Sequence, residues 1–347
     1  VTADHQPVEG AEIRVEMTRH AFPFGSAVSA HGLVGDMTSD GDRYRQAVTQ
    51  LFNRVVFEND LKWPPWEGRW GGEYRRTQTM EAIEWLRRHR IRIRGHCLVW
   101  PGWRHLPEDL EENRFDPRLL ASRTREHIME EAGALRDRIE EWDVVNETYW
   151  NHDLQDIIGK EALADWFRYA RKAAPHARLF INDARIVAFG GVEQEHKDFY
   201  FDEVGYLLGH GAPVDGIGFQ CHFREESLTH PEDALMMLDR FAQFGLDLGI
   251  TEFDVQAENE DIQARYMYDF MHVMFSHPGV KGFTMWGFWE GRMHKPGRAL
   301  FRQDWTPKPA AEVYRKLVFE KWWTNEQGVT GEDGSYHTRG YLGSHRI

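Results

Sequence analysis

Eight short runs of apolar, β-branched and aromatic residues recur along the chain, separated by longer stretches with helical spacing. This alternation limits the fold more than any other feature of the sequence. The runs cover residues 22–28, 54–60, 91–100, 141–147, 177–183, 214–222, 246–254 and 280–288. Strands that alternate with helices call for a parallel sheet, because a crossover helix is what returns the chain to start the next parallel strand. Eight such units close on themselves as an α/β (β/α)8 TIM barrel. The helical stretches carry start signals. Asp116-Pro117 gives a cap residue followed by proline at the first helical position, and Ile128, Ala132, Leu135 and Ile139 then share a face. Pro231 opens another, in which Leu235, Leu238 and Phe241 recur. No Pro- or Ser-rich linker breaks the middle of the chain, so residues 20–322 read as one barrel. The ends differ. Residues 8–17 alternate like a strand, and the turn signal Glu332-Asp333-Gly334-Ser335 precedes a strand-like piece from Tyr336 to Ile347. Residues 1–19 and 323–347 are therefore expected to form a small β-appendage from the two termini, packed on the barrel or left over from a neighbouring module.

Composition removes whole classes of function. Asp and Glu number 56 against 42 Lys and Arg, a formal charge of −14, which repels a phosphate backbone and argues against a nucleic-acid partner. No apolar stretch approaches the roughly 18 residues a membrane span requires, so no membrane insertion is expected. Cys97 and Cys221 are too few for a disulfide scaffold and have no C-x-x-C spacing; each lies in an apolar run and reads as a buried free thiol, with a single bridge between them the alternative. None of the 18 histidines makes the H-x-H, H-x-x-x-H or H-E-x-x-H spacing that puts two metal ligands on one strand or helix face, so no metal and no other cofactor is expected. The 14 Trp fill a core, and they also suit a protein that stacks the flat apolar faces of ligands.

The chemistry gathers at the ends of the runs. Six end in polar or ionisable residues: Glu58-Asn59, His96, Asn146-Glu147, Asn182-Asp183, Gln220 with His222, and Glu252 with Asp254; Trp286 lies near the end of the eighth. In a parallel barrel those ends converge on one face, where such barrels keep their active sites. One polar strand end is an ordinary cap. Carboxylates, amides, imidazoles and an indole at the same end of nearly every strand are not. Glu147 and Glu252 are far apart in sequence, and only a closed fold brings them together. Two carboxylic acids in a polar, aromatic cleft suit glycoside hydrolysis, in which one is protonated to serve the leaving oxygen and the other ionised to attack the anomeric carbon. Their mutual repulsion splits their pKa values as that division of labour requires. Asn146 is placed to bond a sugar 2-hydroxyl. Asp254 is placed to orient His222 and His222 to steady Glu252; the plainer alternative is an ion pair tying the sixth and seventh strands together.

The motifs W-D-V-V-N-E at 142–147 and I-T-E-F-D at 250–254 resemble the acid/base and nucleophile segments of glycoside hydrolase family 10, the endo-β-1,4-xylanase family. The resemblance continues through F-E-N-D-L-K-W at 57–63, R-G-H-C-L-V-W at 94–100, F-I-N-D at 180–183, D-G-I-G-F-Q-C-H at 215–222 and M-W-G-F at 285–288. It covers residues 20–320 in order, strand by strand. It implies a (β/α)8 barrel, Glu147 as general acid/base, Glu252 as nucleophile, and retention of configuration. It also implies that Asn146, His96, Lys62, Gln220, His222 and Trp286 shape the subsite of the sugar to be cleaved, with Glu58 and Asn59 one subsite further out and Trp100 a further sugar contact. The walls depart from the family pattern. Pro101 and Trp103 stand where a His and a Gln are usual, Asn182-Asp183 is followed by Ala184-Arg185 in place of Tyr-Asn, and His294 takes the place of a second roof Trp. Trp289 or Trp103 is the candidate substitute for that roof. A loop at 61–74, with Trp63, Trp66 and Trp70 among its glycines, reads either as a stacking wall or as a loop pinned by buried aromatics.

The leading reading is a metal-free endo-β-1,4-xylanase acting on the polysaccharide xylan. The same chemistry on another β-1,4-linked or mixed-linkage glucan, or on short or decorated xylo-oligosaccharides, is the alternative within its class. A non-catalytic carbohydrate-binding barrel is the alternative from another class, opposed by the cost of keeping a like-charge pair. A monomer is expected. Xylan is too large to enter a cell, which implies an extracellular, periplasmic or cell-surface site. A chain that opens on Val1 without a signal-like segment reads as a fragment or processed form.

Overall fold

The computed structural model describes residues 6–72 and 74–347. Residues 1–5 of the expected N-terminal extension, and Glu73 of the Trp-rich loop, lie outside the described residues. The strands are β1 (Glu12–His20), β2 (Phe24–Val28), β3 (Arg54–Phe57), β4 (Arg92–Val99), β5 (Glu141–Asn146), β6 (Arg178–Asp183), β7 (Gly216–Phe219), β8 (His222–Arg224), β9 (Asp247–Gln256), β10 (Val280–Met285), β11 (Asn325–Val329) and β12 (Gly343–Arg346).

Strands β2 to β7, β9 and β10 form a closed parallel barrel, with Phe24 of β2 opposite Phe283 of β10 and Ile250 of β9 opposite the same Phe283. Every residue of β2, β3, β5 and β7 is buried, as expected of strands covered on both faces. Seven of the eight expected runs become single strands. The run at 214–222 becomes two: the chain leaves β7 at Gln220, Cys221 adopts a φ of 64°, and β8 resumes beside β9 with His222 opposite Asp254. Several strands stop before the polar residues expected within them. β3 ends at Phe57 and β5 at Asn146, so Glu58 and Glu147 begin the loops above the barrel.

The helical signals hold with shifted limits. Asp116 caps the helix Pro117–Ala134 by accepting from the amides of Arg118 and Leu119. That helix ends before Leu135 and Ile139, which are buried beyond it. In Pro231–Ala242 Leu238 and Phe241 are buried as expected, while Leu235 is exposed and Ala234, four residues before Leu238, takes its place on the face toward the barrel. Cys97 and Cys221 are both free and buried.

At the other end of the barrel, β1 pairs antiparallel with β11 and β12 in a three-stranded sheet made from both termini. Arg19 donates to the carbonyl of Asn53 (3.1 Å), and His20 packs against Phe24 and bonds the carbonyl of Trp322 (2.8 Å). The sheet thus sits against the N-terminal ends of β2 and β3. The opposite mouth is left open.

Candidate active site

A buried polar column rises through the barrel toward that mouth. Arg54 pairs with Glu141 and donates to Thr284 (2.9 Å), Arg94 pairs with Glu141 (2.9 Å) and with Asp143, and Asp143 accepts from Nδ1 of His96 (2.9 Å). Each of these groups is buried, and each charge has an opposite partner, which is what makes such a column tolerable in an apolar barrel. The column fixes the imidazole of His96, whose Nδ1 lies 3.9 Å from Oε1 of Glu252.

Glu147 and Glu252 both line one cleft of about 850 Å³, together with Lys62, His96, Trp100, Gln220, His222 and Trp286. Strand ends deliver them. Glu147 follows β5 with a φ of 54°, and its amide bonds the carbonyl of Asn182 at the end of β6 (2.9 Å). Glu252 lies within β9 and is 3% exposed. Buried amides join the two. Gln220 donates to Oε1 of Glu147 (2.7 Å) and to Oδ1 of Asn146 (3.3 Å), and Asn182 donates to that same Oδ1 (3.0 Å) and to Oε1 of Glu252 (3.0 Å). Thr251 in turn donates to Oδ1 of Asn182 (2.8 Å), fixing which way that amide points. Asn146 is fully buried, does not itself line the cleft, and leaves its Nδ2 without a partner among the described residues.

The two carboxyls are tuned in opposite directions. Burial raises the pKa of Glu147, and the charges of Asp183 and Glu252 add to this, against the hydrogen bond from Gln220 and the pull of His96. Burial also works against the ionised form of Glu252, but His96, the bond and charge of His222, and Lys62 together outweigh it and lower its pKa. His222 is held cationic in spite of burial by Asp254, to which its Nδ1 donates (2.9 Å), and by Glu252, to which its Nε2 donates (3.1 Å); its pKa is pushed up to about 10. Asp254 is itself anchored by Arg298 (2.5 Å).

The remaining expected residues divide. Lys62 donates to Asn59 (2.8 Å) and lies 5.1 Å over the ring of Trp100, which stacks on His105. Trp286 meets His96 and His222 edge-on, with ring centroids 5.2 and 6.2 Å apart. Glu58 and Asn59 line none of the three cavities at this mouth. Burial raises the pKa of Glu58 against the nearby Lys62. Trp289 is a correction. It is 5% exposed, stacks on Trp305 (4.4 Å), donates to the carbonyl of Gln303 (3.2 Å), and lines none of those cavities, because the loop after β10 turns it inward onto its own aromatic cluster. Trp103 does line the cleft, and His294 lines a smaller cavity beside it.

The mouth is longer than the central cleft. A cavity of about 390 Å³ adjoins it along Lys62, Trp100, Trp103 and Arg104 and reaches Trp63 and Trp70; another of about 230 Å³ adjoins it along Arg185, His222 and Trp286. Within the Trp-rich loop, Trp66 is a buried pin, donating to Glu130 (2.7 Å) under Arg76, while Trp70 stands exposed and stacked on Tyr74. Sequence reasoning passed over Asn182 as a site residue, and it passed over Asn151, which donates to Oε2 of Glu147 (3.4 Å) from one helical turn further on. The signal for Asn182 was its place at a strand end in F-I-N-D.

A family model described as Glycosyl hydrolase family 10 matches residues 14–317. The chain belongs to that family. Among curated relatives, Anti-sigma-I factor RsgI6 of Acetivibrio thermocellus is 29% identical over all of this chain and 43% of its own length. Endo-1,4-beta-xylanase 1 of Arabidopsis thaliana is 28% identical over 99% of this chain and 35% of its own. The chain thus spans less than half the length of these relatives. Among solved structures, xylanase 10B from Thermotoga maritima is 27% identical, with a TM-score of 0.76 over 87% of this chain and 96% of its own. The family 10 match runs from within β1 to the end of the last barrel helix, so it takes in the whole mouth. No helix among the described residues is long and apolar enough to cross a membrane.

Proposed function

We propose that the chain is a retaining endo-β-1,4-xylanase, with Glu147 as acid/base and Glu252 as nucleophile. The observation that carries this reading is the pair of carboxylates in one groove, one raised in pKa and one lowered. A protonated Glu147 gives its proton to the leaving glycosidic oxygen as the carboxylate of Glu252 attacks the anomeric carbon. The product is a glycosyl ester on Glu252. Glu147 has by then given up its proton, and the ester no longer carries the negative charge that favoured its protonated form. Glu147 therefore stays ionised and takes a proton from the incoming water as that water attacks the anomeric carbon and releases Glu252. A retaining pair calls for carboxyls about 5–5.5 Å apart. The cationic His222 and the amide of Asn182 hold Glu252 ionised and oriented before attack. The three adjoining cavities suit an extended chain, which supports internal cleavage. A polymer of that size places the work outside the cell.

Proton NMR of the earliest products tests the mechanism: the β-anomer is expected first, and prompt α-anomer overturns double displacement. A second reading, a barrel that binds carbohydrate without cleaving it, is favoured by the relative whose name is that of a regulator. Turnover of xylan by the wild-type chain, lost in Glu252→Ala, excludes it.

A further inference from the structure

The 230 Å³ cavity beside His222 and Trp286 is unusual for a chain with a formal charge of −14. Arg185, Arg224, Lys295 and Arg298 all line it, and the one carboxylate among its lining residues is Asp254. That carboxylate is already committed, accepting from Arg298 (2.5 Å) and from His222 (2.9 Å). Arg185 is fixed in place: it follows β6 with a φ of 61°, lies over the rings of Trp150 and Phe189 (4.8 and 4.4 Å), and donates to Glu193 (3.0 Å). Arg224 is exposed at the end of β8 and has a loose ion pair with Glu226 at 3.9 Å. Lys295 is exposed as well, and its ammonium group makes no hydrogen bond or ion pair among the described residues; only its carbonyl is bonded, accepting from the amide of Arg298 (3.1 Å). Burial and the like charges of Arg298 and Arg224 lower its pKa. These four cations and the cationic His222, converging on a small cavity, repel one another, and an anion placed among them relieves the repulsion.

We propose that this cavity binds the carboxylate of a uronic acid side group carried by the β-1,4-linked chain in the cleft. The inference rests on the xylanase reading, and it names the class of substrate that the reading leaves open. An anion that reaches this wall together with a polysaccharide is one the polysaccharide carries, and a sugar acid carries a planar carboxylate that an arginine fork can bind through two parallel hydrogen bonds. The cavity is smaller than the roughly 300–1,000 Å³ that encloses a drug-sized ligand, which suits one side group and leaves no room for a second chain. It opens onto the cleft through Arg185, His222 and Trp286, so the side group is attached near the bond being cleaved.

The test compares three xylo-oligosaccharides of one length: unsubstituted, bearing a uronic acid, and bearing the same sugar with its carboxyl reduced to the alcohol. The wild type is expected to favour the acidic substrate over the reduced one by about tenfold in kcat/KM, in line with charge-assisted hydrogen bonds at a half-exposed site. The double variant Arg224→Met with Lys295→Met is expected to lose that preference and to cleave the unsubstituted oligosaccharide within about twofold of wild type. Equal rates on the acidic and reduced substrates, or a preference that survives both substitutions, overturn the proposal. Calorimetric binding of the same acidic and reduced oligosaccharides to Glu252→Gln reads the site without turnover. A chain that cleaves no xylan but binds the acidic oligosaccharide more tightly loses the xylanase reading and keeps the acidic pocket. Inorganic phosphate that competes as well as the acidic oligosaccharide would show a general anion site and would also overturn the proposal.

Discussion

Glu252 and Trp70 face the same groove but are held in opposite ways. Glu252 is 3% exposed within a barrel strand and bonds both Asn182 and His222, whose own partners are Thr251, Asn146 and Asp254. Trp70 is 48% exposed on the loop between β3 and β4 and stacks on one neighbour, Tyr74. The first arrangement fixes a carboxylate at a set position and charge before any sugar arrives. The second offers a flat face that can adjust. Rigid strand ends suit groups that must meet a transition state, and loops suit groups that sort substrates. If that division is right, damage at the centre lowers kcat on every substrate, and damage at the walls changes KM on some.

The largest expected effect is that of Glu252→Ala. On the proposed role it removes the attacking group itself, and kcat on xylan and on aryl xylobiosides falls together by at least about 10⁴-fold. Steady-state assays with both substrates check this, and substantial turnover of either would end the nucleophile assignment. Glu147→Ala ranks next. Proton donation contributes roughly 10²–10⁴-fold, but only where the leaving group needs the proton. Xylan turnover is therefore expected to fall by that amount, while the first step on a dinitrophenyl xylobioside barely slows. Equal losses on the two substrates would show that Glu147 is not the proton donor.

The pH profile sharpens the comparison further. Glu252 acts ionised, so the acid limb of kcat/KM follows its lowered pKa, and activity is retained to lower pH than an ordinary carboxylate allows. Glu147 acts protonated, so the alkaline limb follows its raised pKa. His222→Gln removes a cation that lowers the pKa of Glu252 and leaves Asp254 with Arg298 as partner. The acid limb is expected to move to higher pH, with about a tenfold loss of kcat at the optimum. An acid limb that stays in place would mean that His222 is merely structural.

How much of this could be read from the sequence follows the same line between centre and wall. Alternating runs were enough for the barrel, since strands buried on both faces leave continuous apolar stretches, and the strand ends marked Glu147, Glu252, His96, Gln220 and His222 by position alone. The column beneath them was not legible. Arg54, Arg94 and Glu141 sit in strands where a charge looks like an outward-facing residue, and only the closed barrel shows that they point inward and neutralise one another. The walls were the least legible. Trp289 and Trp103 are the same residue type near two strand ends. Which of them faces the groove depends on how each loop packs, and Trp305 captures the first. Nothing local to either tryptophan encodes that outcome.

The smallest expected effect belongs to Trp70, and it is the one most able to break the comparison. Its indole lines the outer cavity on the Lys62 side, beyond Trp100, so a sugar that reaches it lies away from the bond being cleaved. Contact made there is equal in ground state and transition state and enters KM without touching kcat. An exposed aromatic face that stacks on a sugar contributes on the order of 1 kcal/mol, so Trp70→Ala is expected to raise KM on xylan about fivefold. An aryl xylobioside too short to reach the loop should be cleaved with unchanged kcat and KM. Because Trp70 is half exposed and carries none of the barrel core, the thermal midpoint should also hold. A fall in kcat on the short substrate would mean that this loop helps to set the geometry of the centre, and the separation between a fixed centre and adjustable walls would fail where it was expected to be cleanest.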